Sequence, residues 1–449
     1  MAICRDVCQT ANTMEPGTSR TNRLGTALRR AVDARLQPAY LHWFSAAVLV
    51  VGGVLLCVSF ATSDRGQTSF GQPLGNDFAG FFVAAQILDR GQADQLYDRA
   101  LHDQLYHELL PKLDPHDSIP YVHPPFVAGV LRPLTWLSYE AAVAIWLLIS
   151  LSLFIVGVWL LVRSSSGLPR EQTGLVMLLA LSFEPFLMEC WLGGQLSAVG
   201  FFSYALAWYF LSRNRPIASG MALGLSFYKP TLLLLMLPLL VVGRRWRMLL
   251  GMTITGVLLA GLSLALVGWD VSVGYLDVLL NFRKSTSGGG LPILTWKYVD
   301  LNNALRSLWG GQSLARTALF GILALLPFAI LAKGWWRWES LESNPRQWLW
   351  AATLAWLPIL NLYVGIYDSI FVVQSVLLAA DVLLRERRSE TPLTNSGLAY
   401  WALAIAASSW FSQPLARISG VQVYSLALIG LGLLELRLTD RARGDCPSQ

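Results

Sequence analysis

Apolar residues fall in long runs along most of this chain, separated by short polar or basic breaks. Runs lie at about 41–62, 138–162, 173–190, 196–212, 217–229, 231–243, 251–269, 314–333, 348–364, 369–384, 398–412 and 421–436. A helix needs about 20 apolar residues to cross a hydrocarbon core, and in lipid only helices and closed barrels satisfy their own backbone. The pattern therefore predicts an all-α polytopic membrane protein with about 12 transmembrane helices. One further apolar stretch, HPPFVAGVLRPLTWL at 123–137, is short and broken by Pro124, Pro125 and Pro133. Irregular backbone at membrane depth is tolerated only inside protein or along a cavity, so this stretch reads as a re-entrant or half-membrane segment. The runs at 217–229 and 231–243 are also short, and Pro230 sits at their junction.

Composition supports the same class. Of 449 residues, 54% are hydrophobic and 14% charged, with a mean hydropathy of +0.48, whereas soluble domains carry about 25% charged residues. The longest polar interruption, 63–122, is too short for a soluble domain of ordinary size. The chain divides into a basic N-terminal segment (1–40), a transmembrane domain (41–437) with outer loops at 63–122 and 270–312, and a tail (438–449). The five cysteines, Cys4, Cys8, Cys57, Cys190 and Cys446, are scattered and lack zinc-ligand spacing. No metal and no cofactor is expected. Most of the 18 tryptophans are expected in interfacial belts.

The net charge of +6 points to a membrane side, not to nucleic acid. Arg20, Arg23, Arg29, Arg30 and Arg35 precede the first run. Further basic breaks fall at Arg163/Arg170, Arg213/Arg215, Arg244/Arg245/Arg247, Lys333/Arg337/Arg346, Arg385/Arg387/Arg388 and Arg437/Arg441/Arg443. Cytoplasmic loops concentrate Lys and Arg, so these breaks and both termini are placed in the cytoplasm, in a plasma (inner) membrane. A late, long first run argues against a cleaved signal peptide.

This topology collects polar residues on the outer side. Asn76 and Asp77 follow the first run, in GNDFAGFFVAAQILDRGQADQLYD at 75–98. His123 opens the half-membrane segment, Gln195 lies in WLGGQLSAVG, Tyr228 and Lys229 in SFYKPTLLLL, and Tyr367 and Asp368 in NLYVGIYDSIF. An ionisable group inside membrane sequence is costly, so function is its default reading. Each residue also has a plainer one. Asp77 suits a helix N-cap, Lys229 can snorkel to headgroups, Gln195 beside two glycines can mark a turn, and His123 can be a packed histidine. Asp89, Asp94, Asp98, Asp103, Asp114 and Asp117 suit a solvated amphipathic surface. Their shared side and depth carry the functional reading.

Several patterns then occur in one order: an Asp in the first outer loop, AAQILDRGQADQLYD, YVHPPFVAGVLRPLTWL, GGQLSAVGFF, and ALGLSFYKPTLLLLMLPLLVVGRRWR. Together they resemble the polyprenol-phosphate-sugar-dependent glycosyltransferases of family 87, a family of GT-C fold that includes mycobacterial mannosyltransferases. The likeness runs from about 40 to 385. The chain departs from the family's pattern at His123, where many relatives carry Tyr or Phe, and at GIYDSIF, where many carry a histidine. The resemblance implies a hexosyltransferase that moves a mannose-like sugar from a polyprenyl-phosphate donor to an envelope glycan or glycolipid, among membrane lipids and without nucleic acid. Asp77 would then be the general base that takes the acceptor proton. Lys229 would neutralise the leaving phosphate, which would serve as the counter-ion of an otherwise lone ammonium. Tyr228, Gln195 and His123 would bind the donor, and Asn76, Tyr367 and Asp368 would position substrate, with pairing to a basic group an alternative for Asp368. A transporter or lipid flippase is the other reading, since broken helices and buried charges also mark transporters, and a non-catalytic assembly protein of the same fold is a third.

The topology makes a direct expectation. In a cysteine-free background, a membrane-impermeant thiol reagent outside the cell should label Asp94→Cys and Ser287→Cys and spare Arg245→Cys and Arg387→Cys. The reverse pattern would put Asp77 in the cytoplasm and end the catalytic reading.

Overall fold

The computed structural model describes residues 37–113, 118–280, 294–309, 313–388 and 396–444. Outside them lie the basic segment before Gln37, Asp114, Asp117, the part of the outer loop that holds Ser287, and the last residues with Cys446. Every regular element among the described residues is helical. In chain order these are α1 (Pro38–Ala61), α2 (Phe78–Asp89), α3 (Arg99–Leu109), α4 (Pro125–Leu131), α5 (Tyr139–Ser164), α6 (Thr173–Leu181), α7 (Ser197–Leu211) and α8 (Pro216–Gly224). They continue with α9 (Met236–Val242), α10 (Trp246–Leu280), α11 (Leu301–Trp309), α12 (Leu314–Trp336), α13 (Ser343–Trp356), α14 (Phe371–Arg388), α15 (Ser396–Ser419) and α16 (Val423–Gly444).

Five described helices are long and apolar enough to cross a membrane: α1, α5, α10, α12 and the stretch Ile366–Glu386 around α14. A sixth arises if the bent pair Arg170–Leu181 and Pro185–Leu192 is one span. The expected count of twelve is therefore not reproduced by full-length helices, and the breaks have local causes. Pro185 follows a 60° bend and opens a π-helical turn. Pro230 separates two 3-10 turns, Leu225–Tyr228 and Pro230–Leu233, because proline lacks an N–H and pushes the residue before it out of helix. Lys229 has φ −139° and ψ 83° accordingly. The run at 348–364 yields only α13, which stops two residues short of Pro358. The stretch 123–137 forms the seven-residue α4 and a 3-10 turn, too short to span.

The short helices form the interior. Ten of the twelve residues of α2 are buried, as are eleven of the fourteen in α13. A helix apolar on all sides belongs inside a larger body. α4 lies between α2 and α10, with Phe126 N–H donating to Ser263 Oγ at 3.3 Å. Trp335, Trp348 and Trp350 are wholly buried, and the rings of Trp335 and Trp338 stack at 4.7 Å. The interfacial expectation does not hold for these, because their breadth fills the space between α12 and α13.

Acids outside the membrane segments find ordinary work. Asp98 caps α3 by accepting from Ala100 and Leu101 N–H at 2.8 and 3.0 Å. Asp89 pairs with Arg132 at 3.0 Å, and Asp103 with Arg99 at 2.9 Å. Within α14, buried Asp381 accepts from the backbone N–H of Gly167 and Leu168 and pairs with Arg385. It thereby ties the α5–α6 loop to the end of a spanning helix, and its own buried charge is paired.

The closest helix pairing is glycine-mediated. A Cβ on Gly220 would stand 1.9 Å from the Met248 carbonyl oxygen, and one on Gly251 would stand 2.1 Å from that of Ile217. Gly224, four residues after Gly220, faces Thr255, four after Gly251. Small residues at this spacing let two helix backbones touch. Gly251→Leu should force α8 and α10 apart. We expect a lower unfolding temperature and a large fall in folded yield after detergent extraction, whereas Gly261→Leu, with no atom within 4 Å of its would-be Cβ, should be tolerated.

Candidate active site

Asp77 stands at the mouth of α2, on a tight loop. Gly75 and Asn76 both have positive φ, 70° and 38°. Asp77 N–H donates to the Gly193 carbonyl at 3.1 Å. Gly194, at φ 67°, lies against that loop so closely that a Cβ there would stand 2.1 Å from the Gly75 carbonyl oxygen. Trp146 Nε1 donates to the Gly194 carbonyl at 3.0 Å, and Tyr139 hydroxyl donates to that of Leu74 at 2.6 Å. The two loops are thus locked together by backbone contact, and Gln195 Nε2 donates to the Asp77 carboxylate. Asp77 makes no capping bond to the helix that follows it, so the N-cap reading fails on geometry. Asn76 is half-buried and shapes the turn through its backbone.

Asp77 is half-buried, and the protein packed around it pushes its pKa up to about 6. Burial is the largest cause. Lys297 and Lys229 pull the other way, and Glu189 adds to the rise. Desolvation disfavours the charged carboxylate, and more distant cations only partly compensate.

Lys229 has a protein partner. Its ammonium pairs with Asp368 and lies 5.0 Å from the centre of the Tyr367 ring. Asp368 is wholly buried, whereas the lysine side chain keeps 16% of its surface open. Ser197 hydroxyl donates to the other oxygen of Asp368 at 2.7 Å. The expectation that Lys229 lacks a counter-ion until substrate arrives is thereby corrected, and the pairing alternative for Asp368 is the arrangement present. Tyr367 is half-buried on the 3-10 turn Ile366–Ile370, against Gly365, where any Cβ would collide with its ring.

His123 and Tyr228 form the support behind Lys229. His123 Nδ1 is 3.0 Å from the Tyr228 carbonyl, and its ring meets Phe81 edge-on at 5.1 Å. Burial brings the His123 pKa down to about 4. The ring is therefore neutral near pH 7, and the carbonyl acceptor places its proton on Nδ1. Tyr228 is buried, and its hydroxyl lies beside Gly200 in the core, not at an open surface.

The loop 193–197 therefore joins the site: Gln195 holds Asp77, Ser197 holds Asp368, and Asp368 holds Lys229. Sequence reasoning missed four further members. Glu184 and Glu189 lie inside an apolar run and line a cavity of about 620 Å³ with Trp296, Gln413 and Arg417. Glu189 accepts from Gln413 at 2.6 Å. Lys297 is near enough to act on Asp77 and Glu189 electrostatically. Ser197 carried no signal of its own. Among the described residues, no three His, Cys, Asp or Glu side chains converge as a metal site.

A family model described as Glycosyltransferase family 87 matches residues 121–360, a little over half of the chain. The match contains His123, Gln195, Tyr228 and Lys229, while Asp77, Tyr367 and Asp368 flank it. No curated protein and no solved structure matches.

The buried pair sets a stability test. Lys229→Met strands the Asp368 carboxylate, and breaking a buried pair on one side costs about 3 kcal/mol or more. The unfolding temperature in detergent should drop, and Lys229→Met with Asp368→Asn should recover most of it. Equal stability of the single variant and wild type would show that the pair carries no weight.

Proposed function

The chain belongs to glycosyltransferase family 87, and we propose that it moves a hexose, mannose-like, from a polyprenyl-phosphate donor to an envelope glycan or glycolipid. The reaction takes place on the outer side of the plasma membrane. It is a glycosyltransferase by family, which sets the transporter and flippase readings aside. The single observation that carries the finer reading is the loop 193–197, whose Gln195 holds Asp77 and whose Ser197 holds the Asp368 that pairs with Lys229. It joins a carboxylate with raised pKa to a partly open ammonium, the two groups that this transfer requires.

The roles follow from charge. The acceptor hydroxyl attacks the anomeric carbon and gives its proton to Asp77, while the bond from that carbon to the phosphate oxygen breaks. The electron pair leaves with the polyprenyl phosphate. Growing negative charge on that oxygen is stabilised by Lys229, a point charge in a site of low dielectric. Asp368 holds Lys229 in place before the donor arrives and then shares it with the phosphate. Tyr367 offers a hydroxyl to the sugar from the same turn. His123 acts behind these groups, by fixing the carbonyl next to Lys229.

Asp77→Asn tests the reading. Transfer of mannose from polyprenyl-phosphate mannose in membranes holding the native acceptors should fall by about 100- to 10,000-fold, the usual share of a positioned acid–base group. The protein should still purify as folded. In wild type the active form is the carboxylate, so the rate should climb with pH and level off above about 6. A near-normal rate for Asp77→Asn would overturn Asp77 as the base and require another group to take the acceptor proton.

A further inference from the structure

A second cavity lies away from Asp77. Arg385, on its wall, is 17 residues from Asp368 along the helical stretch Ile366–Glu386, about 25 Å at 1.5 Å per residue. It therefore sits at the opposite end of a spanning helix, on the side to which the basic breaks assign the cytoplasm. The cavity has a volume of about 950 Å³, and Arg244, Arg245, Arg247, Arg346 and Arg385 line it with Glu339 and Glu342.

Arginines are ordinary at the cytoplasmic ends of spans, and three features set these apart. First, their charges are incompletely matched. Arg385 pairs with Asp381 and Arg245 with Glu339, itself 78% exposed. Arg346 donates only to the carbonyls of Trp338 and Glu339, at 3.0 Å each. The Arg244 guanidinium lies over the Trp336 ring at 4.2 Å. Arg244, Arg247 and Arg346 have no carboxylate within ion-pair distance among the described residues. Second, Arg245 is 12% exposed, yet its Nε–H is buried without an acceptor. Burial and the nearby Arg346 both work against its charge, and Glu339 works for it. Third, Pro216, Trp246 and Ser343 on the wall are the first residues of α8, α10 and α13. No side chain caps α8 or α13. Three helix N-termini add positive potential and free N–H groups to the arginines.

The rim is apolar toward lipid. Trp246 and Trp336 are 62% and 59% exposed, and Leu250 continues the Trp246 face one turn along α10. A ligand here meets cations at its head and apolar surface beside it. We propose that this cavity binds the phosphate headgroup of an anionic phospholipid from the cytoplasmic leaflet, held by Arg244, Arg247 and Arg346, with its acyl chains along α8 and α10. The site stands independently of the transfer reaction.

Delipidated protein in a neutral detergent is titrated with palmitoyl-oleoyl phosphatidylglycerol, with phosphatidylcholine of the same chains, and with inorganic phosphate, and bound species are counted by native mass spectrometry. Phosphatidylglycerol should bind at least tenfold more tightly than phosphatidylcholine. Arg346→Gln should weaken that binding by about tenfold, the loss expected for one contact to a charged group. Arg247→Gln, which breaks no hydrogen bond or ion pair among the described residues, should weaken it without moving the unfolding temperature. Arg163→Gln, a basic residue of the same membrane side outside the cavity, should leave it unchanged. An equal loss in Arg163→Gln and Arg247→Gln, or no preference for phosphatidylglycerol, would overturn the site. Binding of inorganic phosphate as tight as that of the lipid would overturn the lipid as its occupant.

Discussion

Two backbones touch at Gly75 and Gly194, and the geometry around Asp77 depends on that contact. No side chain fits at position 194, because its Cβ would lie within 2.1 Å of a carbonyl oxygen and its φ is 67°. With the loops pressed together, Asp77 N–H reaches the Gly193 carbonyl and Gln195 reaches the Asp77 carboxylate. The glycine thus positions an acid and its partner, which lie 118 residues apart in sequence, without any long flexible side chain between them. A chemical site needs its groups held to a fraction of an ångström, and direct backbone contact achieves this with little conformational freedom left to freeze.

Broken helices serve the same end. A continuous span satisfies its own backbone and presents only side chains, whereas a break frees carbonyls and N–H groups that must be met by protein. At Lys229 the break exposes the Tyr228 carbonyl, and His123 answers it. At Pro185 the bend turns Glu184 and Glu189 away from lipid and into a cavity. The break at Lys229 is therefore compensated by a polar residue from a distant element.

Much of this was legible in the sequence, and the failures have physical reasons. The Pro230 break could be read because proline acts locally, on its own N–H and on the residue before it. The grouping of Asp77, Gln195, Lys229 and Asp368 could be read from charge and hydropathy, though the Lys229–Asp368 bond could not, since 139 residues separate the partners. Hydropathy counts apolar runs and not full-length helices, because it averages composition and ignores where a helix stops. The runs broken near Pro185, Pro230 and Pro358 are the result. Glu184 and Glu189 carried the same signal as Lys229, an ionisable group in apolar sequence. Embedded in a run assigned as lipid-spanning, they passed as part of it. Tyr228 went the other way: its polar tip suggested an open surface, yet the ring and hydroxyl are core.

The distribution of partners explains why two acids share this site. Had Asp77 paired with Lys229, the ammonium would favour the ionised carboxylate, lower its pKa and weaken it as a base. Had Asp368 been absent, nothing of opposite charge would hold the lysine in place. Instead the neutral amide of Gln195 takes Asp77, and the charged partner goes to Asp368. Asp77 keeps a pKa near 6, close to the pH at which a base is both ionised and still basic. Environments that push two like groups apart assign them different work. On the proposed reading, Asp77 is left to take a proton, while Asp368 is confined to holding a cation in place.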